Sequence, residues 1–143
     1  MFSDSLSFRT PMKEIAATPM TEVVAPAYIS PVVLEIGISQ AYALAGTYGY
    51  GVPAVAGSGR RNSYQAQKDD PFGTSPLTTA YLDWAVPPTA PSCFCRRATI
   101  VASIGSGIIW TFPRGMFITR NTSVVLWAIA PVPSCDVWFQ IDE

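Results

Sequence analysis

The chain has 143 residues, of which 49% are hydrophobic and only 13% charged, with a net charge of −1. Ordinary globular chains carry roughly 25% charged residues, so part of the folded surface must be apolar, which favours association with neighbours. The near-zero charge argues against electrostatic nucleic-acid binding, and the interrupted apolar runs argue against a membrane-spanning helix.

Thirteen prolines and ten glycines punctuate the chain. That spacing breaks long helices and suits short strands between turns. The start, "MFSDSLSFRTPMKEIAATPM", has no apolar stretch behind a basic opening, so it does not read as a signal peptide. Residues 1–26 contain Pro11, Pro19 and Pro26 with only a weak strand at 13–18. Their apolar side chains, among them Phe2, Phe8 and Met12, are too many for a solvated tail. An N-terminal arm is therefore expected over 1–26, extending onto a neighbour, ahead of a sandwich domain over 27–143.

The segment "VVLEIGIS", residues 32–39, alternates: Val32, Leu34, Ile36 and Ile38 face one way, with Glu35, Gly37 and Ser39 on the other. Residues 43–50 read as a strand rich in small residues, and 51–59 as a loop. A short polar strand over 64–68 precedes the turn "DDPFGTSP", whose Asp69-Asp70 pair reads as a solvated turn. Residues 78–84 alternate again, and "VPPTAPS" forces an extended connector. The remaining strands are expected over 93–102, 107–112, 123–130 and 136–141. Pro113 cannot donate to a ladder, so its strand ends there or lies at a sheet edge. Asn121 suits a turn position near positive φ. About eight strands between turn signals indicate an all-β fold, a jelly-roll-like antiparallel β-sandwich.

Two strands are apolar on both faces. Val125, Trp127 and Ile129 oppose Val124, Leu126 and Ala128, and Ile108, Trp110 and Phe112 oppose Ile109. A sandwich strand needs only one apolar face. With no helix to cover the other, a subunit interface is the economical explanation. The expected interface residues are Phe2, Phe8, Met12, Arg97, Trp110, Phe112, Arg114, Val124, Leu126 and Trp127. Arg96 and Arg97 point to opposite sheet faces, so one is expected to pair with a carboxylate across that interface.

Catalytic chemistry is thin. There is no histidine to serve as the base of a nucleophilic triad. Glu35 and Asp83 make no recognisable acid–base pair, and no phosphate loop or dinucleotide fingerprint occurs. No enzyme activity, cofactor or metal is expected. Cys93, Cys95 and Cys135 form an odd set that reads as buried and reduced, with a link from Cys93 or Cys95 to Cys135 as the alternative. Tyr48, Tyr50, Trp84, Trp110, Trp127 and Trp138 could instead form a sugar-binding platform.

In order along the chain stand "VVLEIGIS", "DDPFG", "TTAYLDW", "APSCFCRRATI", "GSGIIWTFPRG", "SVVLWAI" and "DVWFQIDE". Over residues 30 to 143 this series resembles a family of small structural proteins of tailed bacteriophages and prophages. The Arg-Arg strand, the Trp-Thr-Phe-Pro-Arg-Gly segment and the acidic terminus are its most specific parts; the three cysteines and the N-terminal segment depart from it. The resemblance implies a compact β-sandwich subunit of the virion with no catalytic residues to carry over. A capsid decoration (cement) protein is the expected function, bound to the major capsid protein, with a homotrimer favoured. It would be made in the host cytoplasm and located on the capsid surface. The alternatives are a tail or head-to-tail structural protein and a carbohydrate-binding receptor module.

Overall fold

The computed structural model describes residues 3–69, 72 and 75–143. Phe2 and Asp70 therefore lie outside the described residues. The strands are β1 (Ser3–Thr10), β2 (Thr18–Val24), β3 (Val32–Gln40), β4 (Gly46–Gly51), β5 (Ser58–Gln65), β6 (Gln67–Lys68), β7 (Thr79–Val86), β8 (Arg96–Ile100), β9 (Gly107–Phe117), β10 (Ser123–Ala128) and β11 (Cys135–Asp142). Among the described residues there is no helix. Every named pairing is antiparallel. The first sheet has the order β6-β1-β11-β3-β9 and the second β5-β7-β2-β10-β4-β8. The two pack as a β-sandwich, as the turn spacing predicts.

The core lies between the sheets. Leu6, Phe8, Ile36, Ile38, Trp110, Val137 and Phe139 come from the first sheet, and Val23, Tyr48, Tyr50, Val124 and Leu126 from the second. Tyr50 meets Trp110 and Phe112 edge-on, with ring centroids 5.1 and 5.6 Å apart. Phe8 stacks between Tyr64 and Phe139 at 5.2 and 6.4 Å. Aromatic pairs of this kind add about 0.5–1.5 kcal/mol beyond their area burial.

The expected irregular N-terminal arm is corrected. Residues 3–10 form β1, hydrogen-bonded between β6 and β11, and 18–24 form β2, between β7 and β10. The accessible surface is 7259 Å², against about 7,200 Å² for a folded monomer of this mass. An arm reaching into solvent would add to that. The apolar residues that suggested an arm are core residues: Leu6 and Phe8 alternate inward from β1, and Met20 from β2. Polar inward neighbours conceal the pattern, because Asp4, Thr10 and Thr21 are buried too.

Two bulges shift register elsewhere. In β3 the pairing with both neighbours skips from Val33 to Glu35. Val33 is therefore fully buried while Val32 and Leu34 are only half-buried, the reverse of the simple alternation. Opposite this bulge β9 continues past Pro113 to Phe117, turning through Gly115 at φ 75°. A Cβ there would overlap the side chain of Val32. β9 is an edge strand, so the missing Pro113 N–H breaks no ladder bond on its open side. Asn121 has φ 61°, as its turn position predicts.

Candidate functional site

One end of the sandwich is closed by four connectors, 11–17, 41–45, 101–106 and 129–134, which contain only two charged residues, Lys13 and Glu14. Backbone bonds knit them together. Lys13 and Val132 exchange two, at 3.0 and 2.9 Å; Ala41 N–H reaches Ser134 O at 2.9 Å, and Gly105 N–H reaches Gln40 O at 2.8 Å. Beneath them lies a buried polar network. The Tyr48 hydroxyl donates to Gln40 Oε1 at 2.9 Å, the Gln40 amide donates to Val101 O at 2.9 Å, and the Cys135 thiol donates to Pro133 O at 3.2 Å. Burial pushes the Tyr48 phenol and the Cys135 thiol above their ordinary values, so both stay neutral and hold the floor of this end in place.

On that rigid floor the outer side chains are apolar and exposed: Met12, Ile15 (73% exposed), Tyr42, Leu44, Val101 and Ile104 (72%). A groove of about 330 Å³ runs between Met12, Lys13, Leu44, Pro131 and Val132. Burial lowers the Lys13 ammonium below its ordinary value, with the charge of Asp83 opposing. Such an end can bury apolar area against another surface. Roughly 300 Å² at about 25 cal/mol per Å² gives on the order of 7 kcal/mol, comparable with the freedom lost on association. A single contact would be weak; several linked copies would hold tightly.

The structure separates the residues expected at an interface. Met12 belongs to the apolar end, and Arg97 on the edge strand β8 and Arg114 in the bulge of β9 are exposed. Phe8, Trp110, Val124, Leu126 and Trp127 are buried within the chain, and Phe112 is half-buried against the core. The explanation of β10 as a subunit contact is corrected. Val124, Leu126 and Ala128 face the core. The opposite face lies beneath the chain's own connectors 52–57 and 87–95, which cross the second sheet. They are joined where Thr89 N–H meets Val55 O at 3.0 Å and Val55 N–H meets Thr89 Oγ1 at 2.8 Å. Pro53, Pro88 and Pro91 are buried in them. Gly51, the β4 residue opposite Val125, lies close beneath Pro91, where a Cβ would stand only 3.1 Å from the proline ring. Irregular chain thus does the covering that an absent helix could not.

Under these connectors lies a charge that the sequence does not flag. Glu22 is 0% exposed. Its Oε1 accepts from Arg60 Nε at 2.8 Å and Trp84 Nε1 at 3.1 Å; its Oε2 accepts from Ser123 Oγ at 2.7 Å, Gly57 N at 3.2 Å and Arg60 Nη2 at 3.4 Å. Burial works to raise this carboxyl. The hydrogen bonds from Arg60, Ser123 and Gly57, with the Arg60 charge, outweigh it and hold Glu22 below its ordinary value. Every partner is a donor, so Glu22 acts as a structural staple joining β2, β5, β7, β10 and the 52–57 connector.

Other expected features also disperse. Of the six aromatics of the sugar platform, Tyr48, Tyr50, Trp84, Trp110 and Trp127 are buried, leaving Trp138 half-exposed. Arg96 lies over the Phe112 ring at 5.5 Å; the ion pairs among the described residues are Arg9–Asp136, Arg60–Glu22 and Arg61–Asp83. Cys93 and Cys95 are exposed in the 87–95 connector rather than buried on a strand, Cys135 is buried, and all three are free thiols. Among the described residues no group of three His, Cys, Asp or Glu is placed to hold a metal ion, and no helix is long and apolar enough to cross a membrane. No protein-family model, curated protein or solved structure matches the chain.

Proposed function

We propose that this β-sandwich is a non-enzymatic structural subunit of a phage virion, a capsid decoration protein. It docks on the major capsid protein and on its own copies, as a homotrimer. The observation that carries this reading is the apolar end, where six large apolar side chains stand exposed on a hydrogen-bonded floor. Apolar area held on a rigid base loses little freedom on binding, which suits a subunit that adds stiffness to a shell. The connectivity supports the same reading. Strands β1 to β4 and β8 to β11 alternate between the two sheets, the wrapping of a jelly roll, with β5 to β7 inserted between β4 and β8.

Sedimentation of the purified chain tests the assembly step. The wild type should sediment as a multiple of 15.4 kDa at micromolar concentration, and Ile15→Glu with Ile104→Glu should return it to a monomer. A wild type that stays monomeric sinks the trimer, and a doubly substituted chain that still assembles moves the contact elsewhere. Cryo-electron microscopy of particles carrying the protein tests the location: density repeated over the head shell supports decoration, and density confined to the tail or its junction replaces it with a tail role.

A further inference from the structure

The solvent face of the first sheet carries a second surface, unrelated to the apolar end. Its middle row across the sheet is Ser7, Trp138, Gly37 and Ile109, given by the pairings Ser7↔Trp138, Trp138↔Gly37 and Gly37↔Ile109. Gly37 has no side chain, and the indole of Trp138 occupies the space where one would stand, since a Cβ on Gly37 would overlap the six-membered part of the ring. The indole is thus laid over the sheet rather than standing up from it. Its Nε1–H donates to Glu35 Oε1 at 2.7 Å, which fixes the ring's rotation. With the N–H engaged, the ring has its other face to offer.

The surroundings are polar and hydrogen-bonding. On one side of the tryptophan row lie Ser5, Gln140, Glu35 and Thr111; on the other lie Arg9, Asp136 and Ser39. A groove of about 450 Å³ runs beside the indole past Ser39, Gly107 and Ile109. Among the described residues Glu35 forms no ion pair, so its charge is not spent on an arginine or lysine. A flat apolar plate flanked on both sides by hydroxyls, an amide and carboxylates matches one ligand chemistry best. A pyranose ring presents an apolar C–H face and an equatorial belt of hydroxyls, which fit the plate and the polar rows together. Ser5 and Gln140 already bond Asp69, and Arg9 holds Asp136 in a two-bond pair, so the polar groups left beside the plate for a sugar's hydroxyls are Glu35, Thr111 and Ser39.

We infer that the Trp138 face is a carbohydrate-binding subsite that stacks one pyranose on the indole and hydrogen-bonds its hydroxyls to Glu35 and the flanking polar residues. This is a binding activity beyond assembly, and it holds whether or not the apolar end makes a trimer. The test is saturation-transfer NMR on the full chain with maltohexaose, cellohexaose and chitohexaose in turn, with intermolecular Overhauser contacts recorded for the wild type. At least one hexasaccharide should receive saturation at its ring C–H protons and show contacts to indole protons. Trp138→Ala removes the plate, and Gly37→Ala lifts it off the sheet; each should lower the affinity at least about tenfold, a change on the scale of losing one aromatic anchor. Circular dichroism checks that each variant folds. No transfer to any of the three sugars overturns the proposal, as does transfer undiminished in either folded variant. Should both variants unfold, wild-type contacts from sugar protons to a tryptophan sustain the proposal and their absence overturns it.

Discussion

The strongest structural demand falls on Glu22, and replacing it with glutamine tests the account directly. Glutamine keeps the shape but has one oxygen, whereas the carboxylate accepts at both, from Arg60 Nε and Trp84 Nε1 on one and from Ser123, Gly57 and Arg60 Nη2 on the other. Either rotamer of the amide therefore turns an NH₂ toward donors. Neutralising one partner of a buried ion pair costs about 3–5 kcal/mol, and a buried donor left unpaired about 1–3 kcal/mol. The Arg60 side chain is 28% exposed and can regain some water, which places Glu22→Gln near the lower end, about 3 kcal/mol. For a domain of this size that is roughly a 10 °C fall in Tm. Urea unfolding followed by tryptophan fluorescence measures it, and an unchanged slope would show the loss to be one of stability. The effect also depends on pH. Because the folded carboxyl lies below its ordinary 4.5, the contribution is complete above that value and is lost as the pH falls through the folded one. The gap between wild type and variant should accordingly narrow on acidification. A difference under about 1 kcal/mol at neutral pH would refute the staple.

Asp4 presents the opposite case. It is 3% exposed with an unpartnered Oδ1, and burial followed by the charges of Glu143, Asp69 and Asp142 raises its pKa. A raised carboxyl weakens the fold once the pH exceeds that value, so Asp4→Asn should raise stability at neutral pH by about 1 kcal/mol, read from the urea midpoint. Deleting residues 1–20 removes β1 and the start of β2, both internal to their sheets. The truncated chain should show no cooperative melt by circular dichroism, and a sharp transition would contradict the topology. Thiol titration of the native protein should find Cys93 and Cys95 reacting promptly and Cys135 only after denaturation; a single reactive thiol per denatured chain would reveal a disulfide.

Much of the fold was legible in the sequence where the signal is local. The proline and glycine spacing excluded long helices, β3 and β10 stood out by their apolar residues, Asn121 marked its turn, and Pro113 left two choices, a strand end or an edge strand, of which the fold takes the second. These follow from φ restriction and the two-residue strand period, which act over a few neighbouring residues. Long-range pairing lay beyond such signals. Nothing near Ser3–Thr10 indicates that it pairs with Cys135–Asp142 at the far end of the chain, and its inward Asp4 and Thr10 blur the alternation. Apolar residues on both sides of β10 showed that two faces needed cover, but not that the chain's own Pro53, Pro88 and Pro91 would supply it. The Trp138 surface depends on two strands set side by side, with Gly37 opposite the tryptophan. Glu22 lies in what reads as an irregular arm, one carboxylate among several, until Arg60, Trp84 and Ser123 converge on it across separations of 38, 62 and 101 residues. Burial and partner choice are properties of the packed sheets, so only the tertiary structure could decide them.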